Sequence, residues 1–271
     1  MLDGRRLLGA EEEVLGELES VLSAGDVRVV AISAVQFQTG LRTPLEEISA
    51  ACRRHGALSF IDAVQAMGMV SLDVAATGVD FVACGAHKWL MGVEGAGFVY
   101  CSDAGFAKLR PRVAGWLSHE EPVGFLFEGP DRLRYDRPIR GDIRFLEGGN
   151  LSATAFAALE ASLDAILEIG VGPIFEHVQA IHDAIEPRAV ELGYRSLRSP
   201  RAERRSGTLG LLPPPGHDVI ALQREIARQG VACATPDGVL RFSPHWPNAV
   251  DEAEQVVLTL EHALTAVPRS A

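Results

Sequence analysis

The residues best equipped for chemistry lie between Ser59 and Gly97, in the stretch SFIDAVQAMGMVSLDVAATGVDFVACGAHKWLMGVEGAG. Asp62 and Gln65 follow one short apolar run, 57–61, and Lys88 follows a second, 81–84, after Gly85-Ala86-His87. Apolar runs this short, each ending in polar residues or glycine, read as buried strands. Ligands of open α/β sheets bind beyond the carboxyl ends of the strands, so Asp62 and Lys88 are expected to face one crevice. A carboxylate and an amine in one pocket suit pyridoxal phosphate. That cofactor needs a lysine amine for its Schiff base and an acidic partner that keeps the pyridinium nitrogen protonated. Burial lowers a lysine's proton affinity and makes it a nucleophile and a base. Gln65, three residues after Asp62, is placed to donate to the ring hydroxyl oxygen. Taken singly, Asp62 reads as a helix cap and Lys88 as a surface lysine, since lysine is rarely buried unless paired. Their joint placement, with Gln65 and His87 beside them, is what points to a site.

The elements around this stretch alternate. Val14, Leu15, Leu18 and Leu22 recur at helical spacing over 10–23 with acidic residues outward. The nearly continuous apolar run 27–32 predicts a strand covered on both faces, followed by the polar loop 33–40. Thr43 and Pro44 predict the cap and first residue of a helix running to Arg54. Strand, loop, helix and strand of these lengths form a βαβ unit, which should cross over right-handedly. The glycines of Gly92-Val93-Glu94-Gly95-Ala96-Gly97 precede a strand at 98–101, so they do not fit the dinucleotide fingerprint, which follows a strand and opens a helix. Prolines break up 103–146. Helices are predicted over 152–169 and 172–192, the first with a stripe of Phe156, Leu159, Leu163, Ile166 and Leu167. The tail reads as β-α-β-β-α: strands at 207–212, 231–234 and 239–242, helices at 217–230 and 251–265. The expected organisation is an α/β large domain over 1–151 with a mostly parallel sheet, then a linker helix and a small C-terminal α+β domain over 152–271.

Composition narrows the function further. The 271 residues carry a net charge of −11, whereas nucleic-acid-binding domains are usually basic. The five arginines between Arg195 and Arg205 form the one basic cluster and read as a solvated loop. Cys52, Cys84, Cys101 and Cys233 show no CxxC spacing, as expected of reduced cytosolic thiols. No apolar run approaches the roughly 18 residues of a membrane span, and the start lacks the apolar core of a signal peptide. The expectation is a cytoplasmic protein with neither nucleic acid nor membrane as partner.

The motifs D-A-V-Q and G-A-H-K-W-L-M-G-V-E-G-A-G, with S-A-V-Q-F-Q-T-G upstream and L-R-F-S-P-H downstream, resemble the class V aminotransferase family of fold-type I pyridoxal-phosphate enzymes. The resemblance spans nearly the whole chain. It implies a PLP-transferase-like fold, a pyridoxal 5'-phosphate cofactor, an amino-acid substrate and a homodimer. It further implies that Lys88 carries the Schiff base, Asp62 meets the ring nitrogen, and Gln65 and His87 help hold the cofactor. Asn150 would stand near a family threonine that reaches the neighbouring subunit's phosphate, and Arg241 would pair with the substrate carboxylate as a guanidinium fork. Gly85 stands where several relatives have a phosphate-touching serine. Cys233 sits in a short turn without the family's desulfurase pattern and reads as a packed thiol, so the aminotransferase and epimerase-like branch fits better than cysteine desulfurase.

Family members also carry a long segment ahead of the helix at 10–23, which supplies a phosphate-cradling helix end and an aromatic group stacked on the ring. Nothing in this sequence replaces it, and the large domain is expected to be incomplete. Two readings stay open. In one, the chain is a pyridoxal enzyme, or the main part of one. In the other, it is a truncated, catalytically silent relative that serves at most as a dimerisation or binding module. Transamination, racemisation, elimination and bond cleavage are not separated by anything in the sequence.

Overall fold

The computed structural model describes residues 3–134 and 136–269. After a 3₁₀ turn at Gly4–Leu8, helix α1 (Glu11–Ser23) buries Val14, Leu18 and Leu22 and carries three glutamates in its first turn, where the helix dipole favours negative charge. Strand β1 (Val29–Ser33) leads through a loop to α2 (Leu45–Arg54), then β2 (Leu58–Asp62), the one-turn helix α3 (Val74–Thr77) and β3 (Phe81–Gly85). These three strands are parallel, and β4 (Gly97–Cys101) closes the order β1-β2-β3-β4 antiparallel to β3. Thr43 does not cap α2. Pro44 holds that position, and the Thr43 hydroxyl instead donates to the Ser33 carbonyl at 2.7 Å, tying the helix start to the end of β1.

One face of this sheet is buried and much of the other is open, apart from Phe81, which is buried on that side. Ser59, Ile61 and Val82 are fully buried, whereas Val29, Phe60 and Val99 are each more than a third exposed. The apolar run of β1 predicted cover on both faces, and β1 differs: Val29 and Ala31 are open to solvent. Side chains alternate along a strand, and Val30 and Ile32 are the ones that pack against Leu18, Leu22 and Ile48. Between β2 and β3 the buried Asp80 carboxylate accepts from the Ser59 amide at 2.9 Å and hydroxyl at 3.0 Å, while the Ser59 oxygen accepts from the Asp80 amide at 2.9 Å.

A short helix α4 (Asp103–Lys108), capped by Ser102, opens an excursion built of 3₁₀ turns. Its ends are pinned by Ser118, whose hydroxyl donates to the Phe145 carbonyl at 2.6 Å and accepts from the Gly115 amide at 3.0 Å. A β-carbon on Gly115 would lie 1.8 Å from the Gly148 carbonyl oxygen, so only glycine permits that crossing.

Helices α5 (Ala153–Ile169) and α6 (Val171–Glu191) follow. Leu159, Ile166, Ile174 and Val178 join the core under the first sheet. Further along α6, Ile181, Ile185 and Ala189 belong to a second core, shared with Leu209, Leu211, Leu240 and Leu260. This second core lies on an antiparallel sheet of β5 (Arg195–Ser196), β6 (Leu209–Leu212) and β7 (Leu240–Phe242), with α7 (Val219–Arg228) between β6 and β7 and α8 (Glu252–Ala266) last. The tail is therefore β-β-α-β-α. The expected strand at 231–234 reduces to one bridge between Ala234 and Arg241, and the two-residue β5 escaped the sequence reading.

The arginine cluster is not a solvated loop. Arg198 is 4% exposed at its side chain and pairs with Asp183 at 2.6 Å and Glu186 at 2.7 Å. Arg204 pairs with Glu11 at 2.8 Å and Glu47 at 3.3 Å, fastening this segment to α1 and α2.

Two stability predictions follow from these packings. Ser59→Ala leaves the buried Asp80 amide without its acceptor and takes one donor from the Asp80 carboxylate, and should lower unfolding free energy by about 1–3 kcal/mol in urea titrations. His182 is fully buried on α6 with neither ring nitrogen hydrogen-bonded. Burial, with Arg198 adding to it and Asp183 opposing, pushes its pKa down to about 3. Below its ordinary value of 6.5 the unfolded chain binds a proton that the folded chain refuses. Stability should therefore be complete above that pH and fall by up to about 1.4 kcal/mol per unit below it. Between pH 6.5 and 5, His182→Leu should flatten the dependence of the urea midpoint; equal slopes in both proteins would reject the assignment.

Candidate active site

Parallel strands β2 and β3 end side by side, with Asp62 in register with Ala83. Asp62 Oδ1 accepts from the Val64 amide at 2.9 Å, which starts a tight turn closed by Ala66 and Met67 amides on the Ala63 carbonyl. Gly68, at φ +87°, lets this turn press on the next one: a β-carbon there would lie 2.5 Å from the Trp89 carbonyl oxygen. The turn buries Gln65, whose Oε1 accepts from Trp89 Nε1 at 3.1 Å and from Arg241 Nη2 at 3.0 Å. Indole and guanidinium nitrogens only donate, so the oxygen must be on their side and the amide nitrogen on the other.

Lys88 sits on a loop closed by the Met91 amide on the Lys88 carbonyl and the Gly92 amide on the Ala86 carbonyl. It is exposed, and its Nζ lies 5.6 Å from the centre of the Phe37 ring. Arg241, from β7, places its Cζ 4.8 Å from the same ring. Arg241 Nη2 also donates to Thr208 Oγ1 at 3.1 Å, its Nε is buried without a partner, and burial lowers its pKa. Among the described residues no carboxylate pairs with it. A half-buried cation held only by neutral acceptors and an aromatic face has the chemistry to pair with an anion.

His245 supports this wall. Its Nδ1 accepts from the Trp246 amide at 2.7 Å, so its Nε2 is the protonated nitrogen that donates to the Trp89 carbonyl at 2.9 Å. Burial lowers its pKa, and the contact to Trp89 opposes that shift. Phe37, Gln65, Lys88, Trp89, Arg241 and His245 line one cavity of about 330 Å³, together with Ser243.

Asp62 opens elsewhere. It lines a neighbouring depression of about 580 Å³ with Gly85, Gly97, Val99, Arg144 and Phe156. The expectation that Asp62 and Lys88 face one crevice is corrected to this extent. Asp62 projects from the uncovered face of the sheet, whereas Lys88 comes after β3 has turned toward Gln65 and Arg241. The two charges still act on one buried group. Burial pushes the Cys84 thiol up to about 11, the Asp62 carboxylate adds to that shift and Lys88 opposes it.

His87 is exposed and lies against Gly85, where a β-carbon would come within 3.0 Å of its ring. The imidazole thus occupies the space a serine side chain would need. Asn150 is exposed and lines neither cavity, although Glu147 and Leu151 on either side of it line that of Asp62. Cys233 is buried enough that its thiol is pushed up to about 11, as befits packing rather than nucleophilic attack. Phe37, Trp89 and Thr208 are site residues that the sequence reading did not single out. An aromatic residue in the polar loop after β1 was the one available signal for Phe37; Thr208 had none.

Comparison with known proteins agrees with this architecture. The aminotransferase class-V family model matches residues 9–243. The chain is 28% identical over 240 residues to the uncharacterized aminotransferase YcbU of Bacillus subtilis, covering 84% of this chain and 58% of that protein. It is 30% identical over 266 residues to the isopenicillin N epimerase of Amycolatopsis lactamdurans, covering 94% and 64% respectively. The fold superposes on the cysteine desulfurase of Thermococcus onnurineus with a TM-score of 0.79 at 20% identity, over 93% of this chain and 63% of that one. The chain thus spans about three fifths of the length of these proteins. With strand-end acid, loop lysine and β7 arginine set in this fold, the chain belongs to the class-V aminotransferases, a family whose cofactor is pyridoxal phosphate.

Proposed function

We propose that this chain acts on an amino acid as a pyridoxal-phosphate enzyme of the aminotransferase and epimerase-like kind, with Lys88 as its reactive amine. The observation that carries the reading is Arg241: a half-buried guanidinium without a carboxylate partner, on the same cavity as an amine free of any ion pair among the described residues. The side chains fit the cofactor on three counts. Lys88 presents its amine to the cavity, Gln65 keeps its amide nitrogen free of the two donors on its oxygen, and Asp62 offers a carboxylate at the adjoining strand end.

In this reading Lys88 would hold the cofactor through its amine, Asp62 would meet the ring nitrogen and Gln65 the ring hydroxyl oxygen. His87 would lie beside the cofactor. Asn150 has the family resemblance as its sole support, because it lines neither cavity. When bound, pyridoxal phosphate supplies an electron sink for the pair left at a substrate Cα. Arg241 fixes the substrate carboxylate and so orients the Cα bonds. Phe37 screens one wall from water. The Lys88 amine would take or return the proton at Cα. The division at 151 assigns cofactor binding to residues 1–151 and Arg241 to the C-terminal part. Exposed Val113, Leu126, Phe127 and Leu133 on the excursion after α4 supply an apolar surface for a second copy of the chain.

A second reading has its own observation. The depression around Asp62 borders the uncovered sheet face, where Phe60 and Val99 meet solvent. That favours a chain that does not retain the cofactor alone and serves as a dimerisation or binding module. One experiment separates the two. Incubation with pyridoxal phosphate should give a protein-bound visible band that borohydride fixes on Lys88 and that Lys88→Ala lacks after dialysis. Absence of the band in folded wild-type protein would reject the first reading. Where the band is present, Arg241→Gln should weaken amino-acid binding by about ten- to a hundredfold, the worth of charged hydrogen bonds, while leaving the band in place.

A further inference from the structure

Both hydrogens of Arg241 Nη2 are spent on neutral oxygens, Gln65 Oε1 at 3.0 Å and Thr208 Oγ1 at 3.1 Å. A guanidinium offers two forked edges, Nε with Nη2 and Nη1 with Nη2, and each includes Nη2. A carboxylate taken bidentately must therefore free one Nη2 hydrogen from its present acceptor. The two acceptors are not equally easy to leave. Thr208 Oγ1 is buried and has one other polar neighbour, Ser243 Oγ at 3.4 Å. Gln65 Oε1 keeps a second, well-formed bond from Trp89 Nε1 at 3.1 Å. A buried acceptor left without any donor costs far more than one that loses the second of two.

Trp89 is itself held. Its ring is buried, stacks obliquely on His245 with centroids 5.3 Å apart, and its carbonyl accepts from His245 Nε2. We infer that Trp89 is a positioning residue: it keeps the Gln65 amide satisfied and correctly turned while Arg241 passes from Gln65 to a ligand carboxylate. The inference rests on the assignment of Arg241 to a substrate carboxylate. It adds that the arrival of the carboxylate is transmitted to Gln65, and through its shared oxygen to the Trp89 indole.

The test uses the chain without added cofactor, labelled with ¹⁵N-tryptophan and titrated with propionate. The Trp89 indole resonance, identified by its loss in Trp89→Phe, should move and saturate, with Trp116, which does not line the cavity, as a reference and no movement in Arg241→Gln. Trp89→Phe should weaken propionate binding about tenfold, because Gln65 Oε1 then loses its last donor when Arg241 leaves. Adding Gln65→Met to Trp89→Phe should restore affinity, since no oxygen remains to be stranded; a role in packing alone would not be rescued this way. Arg241-dependent binding with equal affinity in wild type and Trp89→Phe overturns the positioning role and leaves the proposed function standing. No Arg241-dependent binding in wild type overturns both. If Trp89→Phe loses the Trp116 reference signal through misfolding, Gln65→Met alone decides. Affinity must then rise above wild type, because Arg241 has one acceptor fewer to abandon; unchanged or weaker binding overturns the inference.

Discussion

Gly40 and Ser206, 166 positions apart in sequence, meet in a contact on which the site depends. The Ser206 hydroxyl donates to the Gly40 carbonyl at 2.6 Å. Gly40, at φ +73°, is so close to Thr208 that a β-carbon would lie 2.7 Å from its backbone oxygen. The Arg42 amide extends the seam onto the Arg204 carbonyl at 2.9 Å. This seam carries two consequences at once. It fixes the loop after β1, and with it Phe37, and it brings Thr208 on the approach to β6, and so Arg241 on the adjacent β7, over the ends of the parallel strands. Without it, amine and guanidinium would belong to separate lobes.

Within that frame the electrostatics are economical. Lys88 and Arg241 are like charges facing one cavity, and among the described residues neither has a carboxylate to quench it. Their separation is managed by the Phe37 ring, whose electron-rich faces attract cations, and by the Gln65 amide, whose oxygen accepts without bringing a charge of its own. An acid in place of Gln65 would bind Arg241 more strongly and occupy it. A neutral amide leaves the guanidinium available to an incoming anion.

Much of this could be read from the chain alone. The apolar runs 57–61 and 81–84 match the strands that end at Asp62 and Gly85, the motif around Lys88 points to the chemistry, and helical periodicity marks α1 and α5. What escaped is what sequence period does not encode. Alternation says which residues share a face of β1, not whether that face meets a helix or water. A two-residue strand such as β5 carries no period at all. Arg198 and Arg204 look like a basic loop until Asp183, Glu186 and Glu11 are brought to them by folding. Trp89 reads as one more apolar residue after a lysine, because its value lies in an N–H aimed at Gln65, which only the close passage at Gly68 creates. Strand order brings Asp62 and Lys88 to neighbouring strand ends, but the direction of each side chain follows from the pleat and the turn, and they line different cavities.

Helix α6 has a mechanical meaning. Its 21 residues form a rod of about 30 Å that donates Ile174 and Val178 to one core and Ile181, Ile185 and Ala189 to the other. A strut embedded at both ends cannot act as a hinge: swinging the C-terminal sheet against the parallel sheet would pull one set of side chains from its socket. The helix thus adds a second tie, besides the Gly40–Ser206 seam, between the sheet that leads to Lys88 and the sheet that carries Arg241. An opening confined to the loops bearing Phe37 and Lys88 would leave both of these cores packed.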